Sequence, residues 1–182
     1  TADAFNNLSD AGSSVITLIG FKMAGQKPDP GHPFGHGRIE YLSGLAVSAA
    51  ILLMAAELIK SSVIKIFKPT EIVFSPIAVG ILLFSILIKC YMYIYNKSLS
   101  KKINSEALMA TAADSLSDTL STTVVLITTL AAHFTGLHLD GICGVLVGLF
   151  ILYTGITSAK NTLNPLLGQA PDSAFVAEIE EL

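Results

Sequence analysis

The chain has 182 residues, 52% of them hydrophobic and only 14% charged, with a formal net charge of −3 and a mean hydropathy of +0.64. A soluble domain normally carries about a quarter charged residues. The apolar residues here fall in long blocks, so the composition excludes an ordinary soluble core and favours an all-α integral membrane protein. The charge balance carries no nucleic-acid signature.

Five membrane spans are expected in chain order, at about 4–23, 39–64, 74–95, 107–133 and 141–162, each near the twenty-odd residues that cross a hydrocarbon core. Helices are preferred over a β-barrel because the apolar runs are continuous rather than alternating. The Pro/Gly-rich stretch from Pro28 to Gly37 cannot continue a helix, and Lys68-Pro69-Thr70 marks the next turn. Asn96 to Lys102 reads as a polar, basic connection, and Thr135 to His138 as a short neutral one. Asn164-Pro165 is expected to end the last span. Residues 1–167 thus form a transmembrane domain. Residues 168–182 read as a linker and the opening helix of an extramembrane domain. With no initiating methionine and a terminus inside an apparent helix, the chain reads as a piece of a longer polypeptide. Cys90 and Cys143 lie in apolar segments and read as isolated thiols.

Lys22, Lys27, Arg38, Lys97, Lys101, Lys102 and Lys160 fall on one side of this topology. The positive-inside bias therefore puts the His-containing loop and the C-terminal end in the cytoplasm, although Lys60, Lys65 and Lys68 count for the other side.

Two distant segments, Ala4 to Asp10 and Ala112 to Asp118, are near copies. Each sets two oxygen side chains four residues apart, Asn6 with Asp10 and Asp114 with Asp118, so each pair shares a helix face. A carboxylate at the centre of a membrane helix costs about 2.5–3.5 kcal/mol on insertion scales. One such Asp is readily explained by Ser and Thr neighbours, and Ser9, Ser13, Ser14, Ser115, Ser117 and Ser121 are at hand. A repeated pair is better explained by a divalent-cation site of one amide and three carboxylates. Asn7 is an alternative ligand, but matching the two copies sets Asn6 opposite Asp114 and favours Asn6. All-oxygen donors suit Mn²⁺, Mg²⁺ or Ca²⁺, whereas Zn²⁺ sites more often recruit imidazole or thiolate. Without metal, crowded buried carboxylates hold protons, which an arriving ion displaces. That exchange is the basis of proton/metal antiport.

The ligand pairs, the run His32-Pro33-Phe34-Gly35-His36-Gly37-Arg38-Ile39-Glu40 and the segment Ser105-Glu106-Ala107-Leu108 leading to Asp114 together resemble the cation diffusion facilitator transporters, over nearly the whole chain. The resemblance implies a six-helix transmembrane domain of which the five spans are helices two to six, a cytoplasmic C-terminal domain and a homodimer. It implies a proton-coupled exporter of divalent transition metal from a bacterial cytoplasmic membrane, not an enzyme, with no prosthetic group. Zinc-type members carry His where this chain has Asp114, so the pattern resembles the manganese type, with Zn²⁺, Fe²⁺, Co²⁺ and Cd²⁺ as alternatives. A non-transporting metal-binding membrane scaffold is the rival of another class.

Asp29, His32 and His36 match positions that form a second, cytoplasmic-loop metal site in some zinc-type relatives; imidazoles there favour Zn²⁺ over Mn²⁺. In some relatives the basic residue at Arg38 pairs with an acid near the end of the last span, but the aligned position here is Gly168. Asp140 reads as a helix N-cap in preference to a cation entrance. Gly144-x-x-x-Gly148 reads as a close helix contact. Lys89, in the middle of the third span, must either snorkel or pair with a carboxylate.

Overall fold

The computed structural model describes residues 2–68, 75–135 and 139–168, with the side chains of 12–68, 75–134 and 139–168. Five helices follow one another: α1 (Ala2–Ala24), α2 (Arg38–Phe67), α3 (Pro76–Ile103), α4 (Glu106–Thr135) and α5 (Asp140–Leu167). Among the described residues there is no strand, as expected of a helical bundle. Helices α2, α3, α4 and α5 are each long and apolar enough to cross a bilayer. Helix α1 has 23 residues, about 35 Å at 1.5 Å per residue; its described apolar part, Gly12–Ala24, is shorter than a full span. Of the expected linker and extramembrane helix at 168–182, only Gly168 lies within the described residues.

The helices outrun the apolar blocks. Asn96 to Lys102, read from the sequence as a connection, forms the last turns of α3. The turn itself is only Asn104-Ser105, between the end of α3 and the start of α4. Asn104 adopts the left-handed conformation (φ 49°, ψ 48°) that Asn tolerates at a helix C-terminus. Ser105 Oγ accepts the Leu108 N–H at 3.2 Å and so caps α4, while Ser100 Oγ donates to the Ser105 carbonyl at 2.8 Å. A basic segment that looks like a loop is thus a solvated helix end, where Lys101 and Lys102 face the carbonyl-rich terminus that favours cations. Likewise Pro165 lies inside α5, which continues to Leu167 instead of stopping at Asn164.

The bundle is small and polar inside, bulky and apolar outside. Buried positions include Ser43, Ser48, Ser62, Thr111 and Thr162, while Leu18, Leu53, Ile77, Phe84 and Leu87 point outward. Lipid tails are as apolar as leucine, so helices associate through close backbone approach and hydroxyl bonds rather than by hiding large side chains. The α2–α5 seam follows this logic along its whole length. Gly44 lies against Thr162, Gly155 against Leu52, Gly148 against Ile59, Gly144 against Ser62 and Gly141 against Ile66, so the two helices are antiparallel. A Cβ at Gly148 would sit 2.6 Å from Ile59 Cγ1, too close for any side chain. The reading of Gly144 and Gly148 as packing residues holds, and it extends to five glycines. Ser48 and Ser158 hydroxyls bond across the seam at 2.9 Å.

Val47, Ile51 and Ala55 of α2, Ala110 of α4 and Ile151 of α5 form the apolar centre. Gly44 also touches Ala107 at the start of α4. The starts of α2 and α4 and the end of α5 therefore share one end of the bundle, together with the His-containing loop. At the opposite end, Lys65 Nζ donates to Asp140 Oδ2 at 2.6 Å, and Thr128 Oγ1, which bonds the Val124 carbonyl at 2.9 Å, also lies 3.2 Å from Asp140 Oδ1. Asp140 is not the N-cap of α5; that position is Leu139, with no side-chain cap. The carboxylate instead ties α2, α4 and α5 together.

Candidate metal centre

Asp114 and Asp118 sit one turn apart on α4, and both are buried, at 5% and 4% exposure. Their helix is rich in hydroxyls, the feature that offers the plain structural explanation for a membrane Asp. Those hydroxyl protons are engaged elsewhere. Ser115, Ser117, Ser121 and Thr122 donate to the carbonyls of Thr111, Ala113, Ser117 and Asp118, each four residues earlier, at 2.8–3.1 Å. A hydroxyl has one proton and an ionised carboxylate only accepts. The neighbouring Ser and Thr of α4 thus donate to their own backbone.

Helix α1 meets α4 through Thr17, whose Oγ1 lies 3.0 Å from Thr111 Oγ1 and also donates to the Ser13 carbonyl. Gly20 of α1 packs on Ser43 of α2. Helices α1 and α2 form a hairpin, and α2 and α4 start at the same end, so α1 and α4 run in opposite senses. Asn6, Asn7 and Asp10 belong to the helical backbone of α1, and their side chains lie outside the described residues.

Lys89, in the middle of α3, is paired with a carboxylate rather than snorkelling. Its Nζ is 2.8 Å from Asp118 Oδ2, with the lysine side chain 16% exposed. Sequence reasoning left this open because a lone lysine in an apolar run does not reveal which neighbouring helix it faces.

A second cluster lies in the α1–α2 loop. Asp29 Oδ1 accepts the backbone N–H of Gly31 at 2.9 Å and of His32 at 2.7 Å, which folds the loop into a tight turn. The same oxygen lies 3.2 Å from His32 Nδ1, and Asp29 Oδ2 lies 3.4 Å from His36 Nε2. The His32 N–H holds the Asp29 carboxyl below the usual carboxylate range, aided by the His32 ring and the Gly31 N–H. Gly35, at φ +82°, supplies the left-handed residue that lets the chain turn back and bring His36 toward Asp29. One donor atom from each of Asp29, His32 and His36 falls within 4.8 Å of the others. His36 Nδ1 is buried with no hydrogen-bond partner among the described residues. One carboxylate and two imidazoles is a donor set suited to Zn²⁺.

The family model of the cation efflux transmembrane domain matches residues 1–167. An uncharacterized transporter of Methanocaldococcus jannaschii is 35% identical over 99% of this chain and 64% of its own length. The manganese efflux system protein MneS of Bacillus subtilis is 33% identical over 91% of the chain and 57% of its own length. The zinc transporter ZitB of Yersinia pestis is 30% identical over 99% and 57%. The chain therefore spans about three fifths of the length of these relatives, which are transporters and not enzymes. With four apolar helices of spanning length, it is a multi-pass integral membrane protein and belongs to the cation diffusion facilitator family.

Proposed function

We propose that residues 1–167 are the transport domain of a homodimeric, proton-coupled antiporter that exports a divalent transition-metal cation from the cytoplasm, Mn²⁺ above others. The observation that carries this reading is the burial of Asp114 and Asp118, one turn apart on α4. The ion is held by Asp114 and Asp118 from α4 and by Asn6 and Asp10 from α1. Equal offsets from the Thr17–Thr111 contact support the pairing: Asp10 lies seven residues before Thr17 and Asp118 seven after Thr111, so in antiparallel helices they share a depth. Hard oxygen donors and Asp at position 114 support Mn²⁺. The relatives named above for manganese and for zinc both support a divalent metal. Protons are the counter-ions because crowded carboxylates other than the Lys89-paired Asp118 relinquish them when a divalent ion enters. The remainder of such a transporter, beyond residue 167, is a cytoplasmic domain joined through 168–182, and the membrane is the bacterial cytoplasmic membrane. The end of the bundle bearing the His-containing loop faces the cytoplasm.

Flux of Mn²⁺ and Zn²⁺ into proteoliposomes under a pH gradient tests this. The expected result is Mn²⁺ uptake coupled to proton release, abolished in Asp118→Asn, with Asp114→His shifting preference toward Zn²⁺ by tenfold or more. Unchanged preference in Asp114→His refutes the manganese assignment. Absence of flux for every divalent ion favours the metal-binding scaffold instead, and flux without proton movement favours a channel.

The loop favours one additional reading. Its Asp29, His32 and His36 donors form a second site, for Zn²⁺ rather than Mn²⁺, at the cytoplasmic mouth. What supports it is the convergence of the three groups on one turn.

A further inference from the structure

Lys89 lies seven residues before Asn96, where α3 leaves its apolar stretch, about 10 Å along the helix. Its side chain is only 16% exposed and its ammonium lies against a buried carboxylate, so it is held by protein and not by the interface. Among the described residues α3 packs on α4 alone, and Lys89 is the only charged residue between Pro76 and Asn96. The remaining surface of that stretch is apolar, with Ile81, Phe84, Leu87 and Tyr91 facing outward. The lysine therefore does not serve a polar face of α3. It delivers one positive charge to Asp118 Oδ2, 2.8 Å away, one turn from Asp114.

Resting on the transport-site reading, we infer that Lys89 is a tethered counter-cation of the metal site, which occupies Asp118 when no ion is bound and which an arriving divalent cation must displace. A carboxylate oxygen at hydrogen-bond distance from an ammonium cannot also bind a doubly charged ion at coordination distance without setting two cations side by side in a low-dielectric interior. Loading the ion thus breaks the α3–α4 ion pair, and unloading restores it. Two consequences follow. Lys89 weakens the site for metal, which helps release on the far side. Because the pair is a polar link between α3 and the ligand helix, metal occupancy also controls how tightly α3 is held to α4.

The test is Mn²⁺ titration by calorimetry of the purified full-length protein in nanodiscs at fixed pH, comparing wild type with Lys89→Met and Lys89→Arg. Lys89→Met keeps the volume and removes the charge; Lys89→Arg keeps the charge. The expected result is a Kd at least tenfold lower in Lys89→Met and within threefold of wild type in Lys89→Arg. Equal or weaker binding in Lys89→Met, with wild type binding normally, overturns the inference and leaves the transport site standing. No Mn²⁺ binding by wild type overturns both. Should Lys89→Met fail to fold, ¹⁵N-lysine NMR of the wild type decides the matter, with Lys89→Arg identifying the signal. The Lys89 ammonium resonance is expected to shift on saturation with diamagnetic Cd²⁺, and an unmoved resonance overturns the proposal.

Discussion

The side chains that matter most here differ in how their polar atoms are satisfied. Ser115, Ser117 and Ser121 donate to their own helix, whereas Asp118 reaches to another helix and takes a full charge from it. Breaking a buried ion pair by removing one partner typically costs about 3–5 kcal/mol, so Lys89 and Asp118 stabilise the α3–α4 contact only as a pair. The loop residues follow a different rule, because Asp29 and His32 are largely exposed and held by the turn rather than by burial. Their arrangement is local: an aspartate that accepts two backbone N–H groups within three residues presents both carboxylate oxygens to flanking imidazoles. Replacement of His36 by Ala is expected to reduce the Zn²⁺ stoichiometry by one ion per chain, measured by equilibrium dialysis of the full-length protein. An unaltered stoichiometry would remove the loop site.

At the scale of the helix, the α2–α5 seam is the strongest structural element, built on glycines spaced so that the backbones nearly touch. Gly148→Leu forces a branched side chain onto Ile59. Overpacking of this kind costs about 1–3 kcal/mol where neighbours can yield, and more is expected at a helix–helix seam that must separate to accept it. Thermal unfolding of the variant in detergent should show a midpoint several degrees lower, whereas Gly80→Leu, with nothing within 4 Å of the added Cβ, should leave it within a degree or two. Equal midpoints for the two variants would mean that the seam does not limit stability. Helix α3 is the counterpart: it joins the bundle through α4 alone among the described residues, so a change of partner at its buried lysine acts on that one interface.

For the whole molecule, the two ends are chemically distinct. One carries the His-containing loop, the Asn104-Ser105 turn and the basic last turns of α3; the other carries the Lys65–Asp140–Thr128 tie. With Cys90 and Cys143 replaced by alanine, Lys101→Cys is expected to resist a membrane-impermeant maleimide in intact cells, while Lys60→Cys is labelled. The reverse pattern would invert the orientation and with it the direction of export. The helical class and the five helices were legible along the chain, because apolar block length and loop chemistry are local properties. So was the donor set of the loop, whose members lie within eight residues of one another. The basic run at Asn96–Lys102 was misread for an equally local reason: composition marks where a segment leaves the hydrocarbon, not where its hydrogen-bond ladder ends. What only the tertiary structure decided is relational. Helices α1 and α4 proved to run antiparallel, Asp140 proved to tie three helices rather than cap one, and Lys89 found its carboxylate on α4. Sequence spacing specifies which face of a helix a residue occupies, but the neighbour that face meets depends on helix direction and rotation, and these emerge only when the whole bundle packs.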